Sequence, residues 1–118
     1  MATLGTNVKL HVTRDKLPAF SEVMTSAFGA KVAATTPTMT IFDLEGAHIG
    51  AEVVEAHVAL SDSEAKDRGT WIELLVDEPE QARRALSKLG IEPFAYVDSS
   101  RDYYQLPGGQ VARVARRS

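Results

Sequence analysis

The sequence contains no cysteine among its 118 residues, and this absence excludes several kinds of chemistry at once. Disulfide frameworks, thiolate zinc sites, iron–sulfur clusters and cysteine nucleophiles all need the thiol group. An excess of positive charge is also missing, since 13 Lys and Arg residues stand against 16 Asp and Glu residues. The net charge of -3 gives no attraction for phosphate groups, so we predict that nucleic acid is not a partner.

Long apolar runs are absent too. No stretch approaches the roughly 18 apolar residues that a membrane-spanning helix needs, and Met1 to Asn7 has neither the basic start nor the apolar run of a signal peptide. These absences predict a cytoplasmic protein with no membrane partner. The hydrophobic content of 44% is ordinary for a folded chain, and the length fits one domain or two half-domains that share a core.

The first half of the chain predicts one strand, one helix and three further strands. Val8, Leu10 and Val12 alternate with polar residues, as in a half-buried strand. Apolar residues then recur at helical spacing over 17–28, with Asp15 as the predicted N-cap and Gly29 as the C-terminal stop. Three strand-like segments follow, at 31–36, 39–44 and 48–54.

The second half repeats this order after a polar connector in which Ser61 to Glu64 resembles a helix cap. A β-prone run occupies 71–76, and Asp77 with Glu80 has the spacing of a capping box for a helix that ends at Gly90. Strand-like segments follow at 93–97, 102–106 and 110–114.

A constant offset of 62 residues relates the two halves, for example Asp15 to Asp77 and Gly46 to Gly108. It holds through strand, helix and hairpin, which indicates a duplicated βαβββ unit. We therefore predict an α+β fold of two modules, 8–55 and 70–116, joined by the connector 56–69. A ferredoxin-like βαββαβ order is the alternative, but residues 31–71 have room for four strands between the helices.

Two tandem βαβββ modules in this length resemble the vicinal oxygen chelate superfamily, which includes glyoxalase I, bleomycin resistance proteins and extradiol dioxygenases. The hairpin from Tyr104 to Val114 carries the most local likeness, because its Pro107-Gly108-Gly109 turn resembles the family's Asp-Pro-Asp-Gly-Asn turn. The resemblance implies a cupped, mostly antiparallel sheet with helices outside, a divalent metal inside the cup, and pairing of chains into a homodimer.

The resemblance also implies four metal-ligand positions, which fall on His11, Ala51, Glu73 and Arg113. His11 and Glu73 have ligating groups, whereas Ala51 has none and Arg113 repels a cation. A catalytic metal needs at least three protein ligands. The neighbouring Glu52 would supply the third only if a β-bulge reversed the facing of its strand. We therefore expect no metal cofactor; if one binds, its ligands are His11, Glu52 and Glu73.

These departures predict a small-molecule binding protein of the glyoxalase and bleomycin-resistance type, without an intact metal site. The organic ligand, which carries an anionic group in one form of this hypothesis, would contact five predicted binding residues: His11, Trp71, Glu73, Tyr104 and Arg113. His11 and Glu73 are also the candidates for acid–base catalysis. Two alternatives stay open: a divalent-metal-dependent lyase, isomerase or dioxygenase, and a degenerate non-catalytic assembly module.

Overall fold

Alternating apolar side chains place one face of most strands in the core, whereas the edge strand at 31–35 is exposed throughout, and three turns that contain proline or glycine close the hairpins. The computed structural model describes all 118 residues. Its elements are β1 (Asn7–Val12), α1 (Leu17–Phe28), β2 (Lys31–Thr35), β3 (Met39–Leu44), β4 (Ala47–Val53), α2 (Asp62–Arg68), β5 (Trp71–Val76), α3 (Pro79–Lys88), β6 (Asp102–Gln105) and β7 (Val111–Arg116). No helix has the length and apolar character needed to cross a bilayer.

The strands form two sheets, one from each half of the chain. The first has the order β1-β4-β3-β2 and the second the order β5-β7-β6. In each sheet the strand before the long helix runs parallel to the last strand, and the remaining pairs are antiparallel. This topology confirms the predicted α+β fold with two similar modules and excludes the ferredoxin-like order.

One hydrophobic core joins the two modules. Helices α1 and α3 contact each other, and their buried side chains, Phe20 and Met24 on α1 and Leu86 on α3, belong to the same cluster as residues of both sheets. The ring of Phe20 packs edge-on against Phe42 of β3 at 5.6 Å between centroids. Because the helices cover one face of each sheet, the other two faces are available for a site.

The predicted aspartate N-caps are wrong at both long helices. The cap positions are Lys16 and Glu78, and neither helix has a side-chain cap hydrogen bond. The N–H groups of Lys16 and Leu17 both donate to the carbonyl of Thr13, so a turn precedes α1. The Asp77 carboxylate instead lies 3.1 Å from Nε of Arg117.

The predicted strand at 93–97 is also wrong, because this segment makes only one isolated bridge, between Phe94 and Tyr103. Pro93 has no N–H to donate to a ladder. Farther along, the hydroxyl of Tyr96 donates to the carbonyl of Lys66 at the end of the chain's middle helix, α2. The second sheet therefore has three strands, and an aromatic segment lies where the fourth was expected.

The connector helix α2 begins with the capping box that the sequence predicts. The Ser61 hydroxyl accepts from the Glu64 N–H at 3.2 Å, and the Glu64 carboxylate accepts from the Ser61 N–H at 2.9 Å. The latter contact is the main reason why the pKa of Glu64 lies below its ordinary value.

Ser61→Ala is expected to lower the free energy of unfolding by about 1 kcal/mol, because the N-cap hydroxyl is lost. Urea denaturation measures the change. Ser63→Ala, inside the same exposed helix, is the matched control and should leave stability almost unchanged. Equal losses in the two variants would contradict a capping role for Ser61.

Candidate functional site

The strand register decides which side chains reach the open faces. His11 on β1 pairs with Glu52 on β4, and Glu73 on β5 pairs with Arg113 on β7. Ala51 is fully buried in the core instead. The position that corresponds to Arg113 is therefore Glu52 and not Ala51, and no bulge in β4 is needed to turn Glu52 outward.

The first module presents a polar cluster on its open face, formed by Lys9, His11 and Glu52. Oε1 of Glu52 lies 3.1 Å from Nζ of Lys9 and 3.2 Å from Nε2 of His11. The hydrogen bond and the positive charge from Lys9, followed by the smaller effect of His11, lower the pKa of Glu52 below its ordinary 4.5. The carboxylate therefore stays ionised at neutral pH and holds both neighbours.

Lys9→Met is expected to raise the pKa of Glu52 toward its ordinary value, since the largest cause of the depression is removed. A depressed carboxylate pKa favours the folded state above the ordinary value of 4.5, and that contribution is lost as the pH falls through the folded-state pKa. Carbon-detected NMR titration of the Glu52 carboxyl measures the shift. An unchanged pKa in Lys9→Met would show that His11 alone holds the carboxylate.

The second module presents an ion pair combined with a cation–π contact. Nε of Arg113 donates to Oε2 of Glu73 at 2.8 Å, and the guanidinium carbon lies 5.0 Å from the centre of the Trp71 ring. Trp71, Glu73 and Leu75 share the exposed face of β5, as their alternation predicts. Two independent contacts therefore hold the Arg113 cation in one orientation.

Four aromatic rings from three parts of the second module form a cluster that meets this pair at Trp71. The Tyr103 ring packs edge-on against Trp71 at 5.9 Å and against Tyr96 at 5.2 Å, with Phe94 beside it at 6.5 Å. Tyr103 is fully buried, and its hydroxyl has no hydrogen-bond partner. The chain's own aromatic side chains thus cover part of the open face near Arg113.

Tyr104, a predicted binding residue, lies on the opposite side of β6 from this site. It is 1% exposed and belongs to the core cluster with Ala112, its partner on β7. Tyr103 is the residue that pairs with Arg113. Alternation along β6 was the available signal, because a residue opposite Arg113 shares its face and the next residue does not.

The pKa values of Arg113 and of a nearby carboxyl group both depart from their ordinary values. The pKa of Arg113 is raised, first by the neighbouring Tyr103 hydroxyl and then by Glu73, although the hydroxyl and guanidinium do not meet hydrogen-bond geometry. The pKa of Asp98 is lowered mainly by hydrogen bonds from Ser100, and the positive charges of Arg101 and then Arg113 add to the effect.

The two polar clusters line different clefts. Glu73 borders a cleft of about 360 Å³ together with Leu44, Leu75 and Arg117. His11 borders another, of about 300 Å³, beside Gln110. No hydrogen bond or ion pair joins the His11–Glu52 pair to the Glu73–Arg113 pair.

The two remaining histidines lie outside both clusters. His48 is exposed and lies 3.4 Å from Asp43 on the neighbouring strand. His57 is exposed in the connector.

The donor set does not fit the divalent metal that the resemblance implies. No group of three or more His, Asp or Glu side chains is placed to share one ion. Glu52 is already held by the ammonium of Lys9, and Glu73 by the guanidinium of Arg113. Each carboxylate thus has a fixed cation where a metal would have to bind.

Comparisons with known proteins give a consistent answer on the fold. No protein-family model matches the sequence, and no curated protein matches it significantly. Solved structures do match. A possible glyoxalase from Bacillus cereus has 19% identity and a TM-score of 0.68, over 96% of this chain and 98% of that one.

Two fosfomycin resistance proteins named FosX are also similar. The Listeria monocytogenes protein, in complex with Mn(II) and a dihydroxypropylphosphonic acid, has 12% identity and a TM-score of 0.70, over 97% of this chain and 90% of that one. The Mesorhizobium loti protein has 11% identity and a TM-score of 0.69, over 100% and 94%. The chain therefore has the fold of the vicinal oxygen chelate superfamily.

Proposed function

We propose that this protein binds a small organic molecule on the open face of the second module and does so without a metal ion. The observation that carries the proposal is the Arg113 guanidinium, fixed by Glu73 at 2.8 Å and by the Trp71 ring at 5.0 Å. A cation held in this way supplies a directed set of hydrogen-bond donors at the place where the family resemblance implies a metal.

Apolar surface next to this pair supports the proposal. Trp71 is 38% exposed and Leu75 is 50% exposed, on the same face as Glu73. Glu73 and Leu75 also border a cleft of about 360 Å³, whose lining does not include Arg113 or Trp71. Its volume lies within the range of about 300–1,000 Å³ that is typical of small-ligand sites. An apolar ligand body beside Leu75, with a polar group at Glu73 and Arg113, would use both kinds of surface.

The first module contributes a second polar surface to the proposed cup. Lys9 and His11 are both held by Glu52 and remain partly exposed. We propose that they contact the far part of a larger ligand. Acid–base catalysis by His11 would require no metal, and substitution of His11 tests it.

A homodimer is also part of the proposal. All five residues of β2 are exposed at the outer edge of the first sheet. An edge strand of this kind offers unpaired backbone groups to a second copy. Sedimentation equilibrium should give twice the monomer mass of 12.8 kDa.

The deciding experiment combines metal analysis with ligand titration. Protein purified without a chelator is expected to hold far less than one divalent ion per chain. A panel of aromatic amides, acids and amines should contain members that change the emission of Trp71, the only tryptophan, equally with and without EDTA. Arg113→Gln should weaken that binding, while Arg84→Gln on the exposed side of α3 should not.

The other outcomes identify the alternatives. One tightly held divalent ion per chain, with ligand binding that EDTA abolishes, would overturn the proposal in favour of a metal-dependent lyase, isomerase or dioxygenase. No change in Trp71 emission with any member of the panel would favour a non-catalytic assembly module.

A further inference from the structure

Arg113 keeps most of its hydrogen-bond donors unused. A guanidinium has five N–H groups, and only the Nε group of Arg113 is engaged, by Oε2 of Glu73. Neither Nη atom meets hydrogen-bond geometry with a protein acceptor, although the side chain is only 22% exposed and the Tyr103 hydroxyl lies beside the guanidinium. On the other side of the same pair, Oε1 of Glu73 accepts no hydrogen bond. The ion pair therefore presents free donors and a free acceptor next to each other.

The charge balance around these groups disfavours an anionic ligand. Glu73 already neutralises Arg113 through a direct contact of 2.8 Å. The buried Tyr103 hydroxyl beside them makes no contact that meets hydrogen-bond geometry. A carboxylate on the ligand would compete with Glu73 for the same cation, and the two negative charges would repel each other.

We infer that the site selects an uncharged planar amide, in which the carbonyl oxygen accepts from Nη of Arg113 and the amide N–H donates to Oε1 of Glu73. This inference rests on the proposed function and narrows its ligand class. An amide has an acceptor and a donor side by side, which complements the donor and acceptor that the ion pair leaves free. Trp71 and Leu75 flank Glu73 on the exposed face of the strand, so an aromatic body attached to the amide would lie against one of these two side chains.

Matched pairs of small probes test the inference. Benzamide and benzoate have the same ring and nearly the same shape, but only benzoate carries a negative charge. We expect benzamide to bind the wild-type protein at least about tenfold more tightly, as measured by Trp71 emission and by amide NMR shifts; tenfold corresponds to about 1.4 kcal/mol. N,N-Dimethylbenzamide lacks the N–H donor and should bind several-fold more weakly than benzamide.

Glu73→Gln should reverse the preference, because it removes the charge that neutralises Arg113 while keeping the side-chain shape. Benzoate is then expected to bind more tightly than benzamide. Glu80→Gln, an exposed glutamate of α3 without an ion pair, is the control and should change neither affinity.

The outcomes separate the inference from the function on which it rests. Tighter binding of benzoate than of benzamide to the wild-type protein would overturn the inference and leave the proposed function standing. Equal affinity for benzamide and its dimethyl derivative would also overturn it. If no amide affects Trp71 while acids or amines of the ligand panel do, the amide class is wrong. If no ligand does, the proposed function is wrong as well. The dimethyl comparison needs no variant, so it decides the question even if Glu73→Gln fails to fold.

Discussion

Tyr103→Ala is expected to lower the free energy of unfolding by about 3–5 kcal/mol, the range typical of deleting a buried aromatic ring. The ring is fully buried and contacts three others, those of Trp71, Phe94 and Tyr96. Its removal would open a cavity where the segment after α3 meets the second sheet. Because this segment is joined to the sheet by only one bridge, the aromatic contacts supply most of its attachment.

Tyr103→Phe separates the ring from the hydroxyl. The ring contacts remain, and a buried hydroxyl without a partner is removed. An unsatisfied buried polar group costs about 1–3 kcal/mol, so this variant should equal or exceed the wild type in stability. Urea denaturation of both variants measures the difference. A loss in Tyr103→Phe close to that in Tyr103→Ala would show that the hydroxyl has an important partner.

Gly108→Ala is expected to destabilise the protein by about 2–5 kcal/mol, the sum of a backbone effect and a packing effect. Gly108 has a φ of 95°, which L-residues rarely adopt. An added Cβ would also lie 3.0 Å from Cγ2 of Val12, a fully buried residue of the other module. The turn between β6 and β7 therefore packs directly on β1.

Gly46→Ala is the matched control, since it is the equivalent turn glycine of the first module. Its φ of 79° gives the same backbone strain, but an added Cβ would meet nothing within 4 Å. We expect a loss of about 1–2 kcal/mol, from the backbone alone. Thermal and urea denaturation of the two variants isolate the contact between modules. Equal losses would mean that Val12 shifts aside at little cost.

The duplicated order of elements could be predicted because each element carries a local signal. Alternation gives β1 and β5, helical spacing gives α1 and α3, and Gly29, at a φ of 69°, ends α1 as expected. The helix starts were not predictable in the same way. Asp77 has the spacing of a cap, but Arg117, 40 residues later in the chain, binds its carboxylate. A partner so far along the chain cannot be inferred from the spacing of residues near the start of the helix.

The candidate site was only partly predictable, for a related reason. The pairing of Glu73 with Arg113 follows from the duplication and the opposite charges, and the structure contains it at 2.8 Å. The orientation of Glu52 toward the open face could not be predicted in this way. A constant offset of 62 residues assumes that the two modules have the same number of residues between their parallel strands. The segment 93–97 fails likewise, since its alternation reflects aromatic packing on Tyr103 and not a strand ladder.

The unequal register of the two modules has an evolutionary consequence. The residue opposite His11 lies 41 positions later, whereas the residue opposite Glu73 lies 40 positions later. Side chains alternate between the faces of a strand, so one inserted or deleted residue exchanges the core face for the open face along a whole strand. A change in the length of one module can therefore change which side chains its open face presents, with no substitution at the site itself. In this chain the difference of one residue places a carboxylate opposite His11 and a guanidinium opposite Glu73, so the two open faces differ in charge although the order of elements is similar.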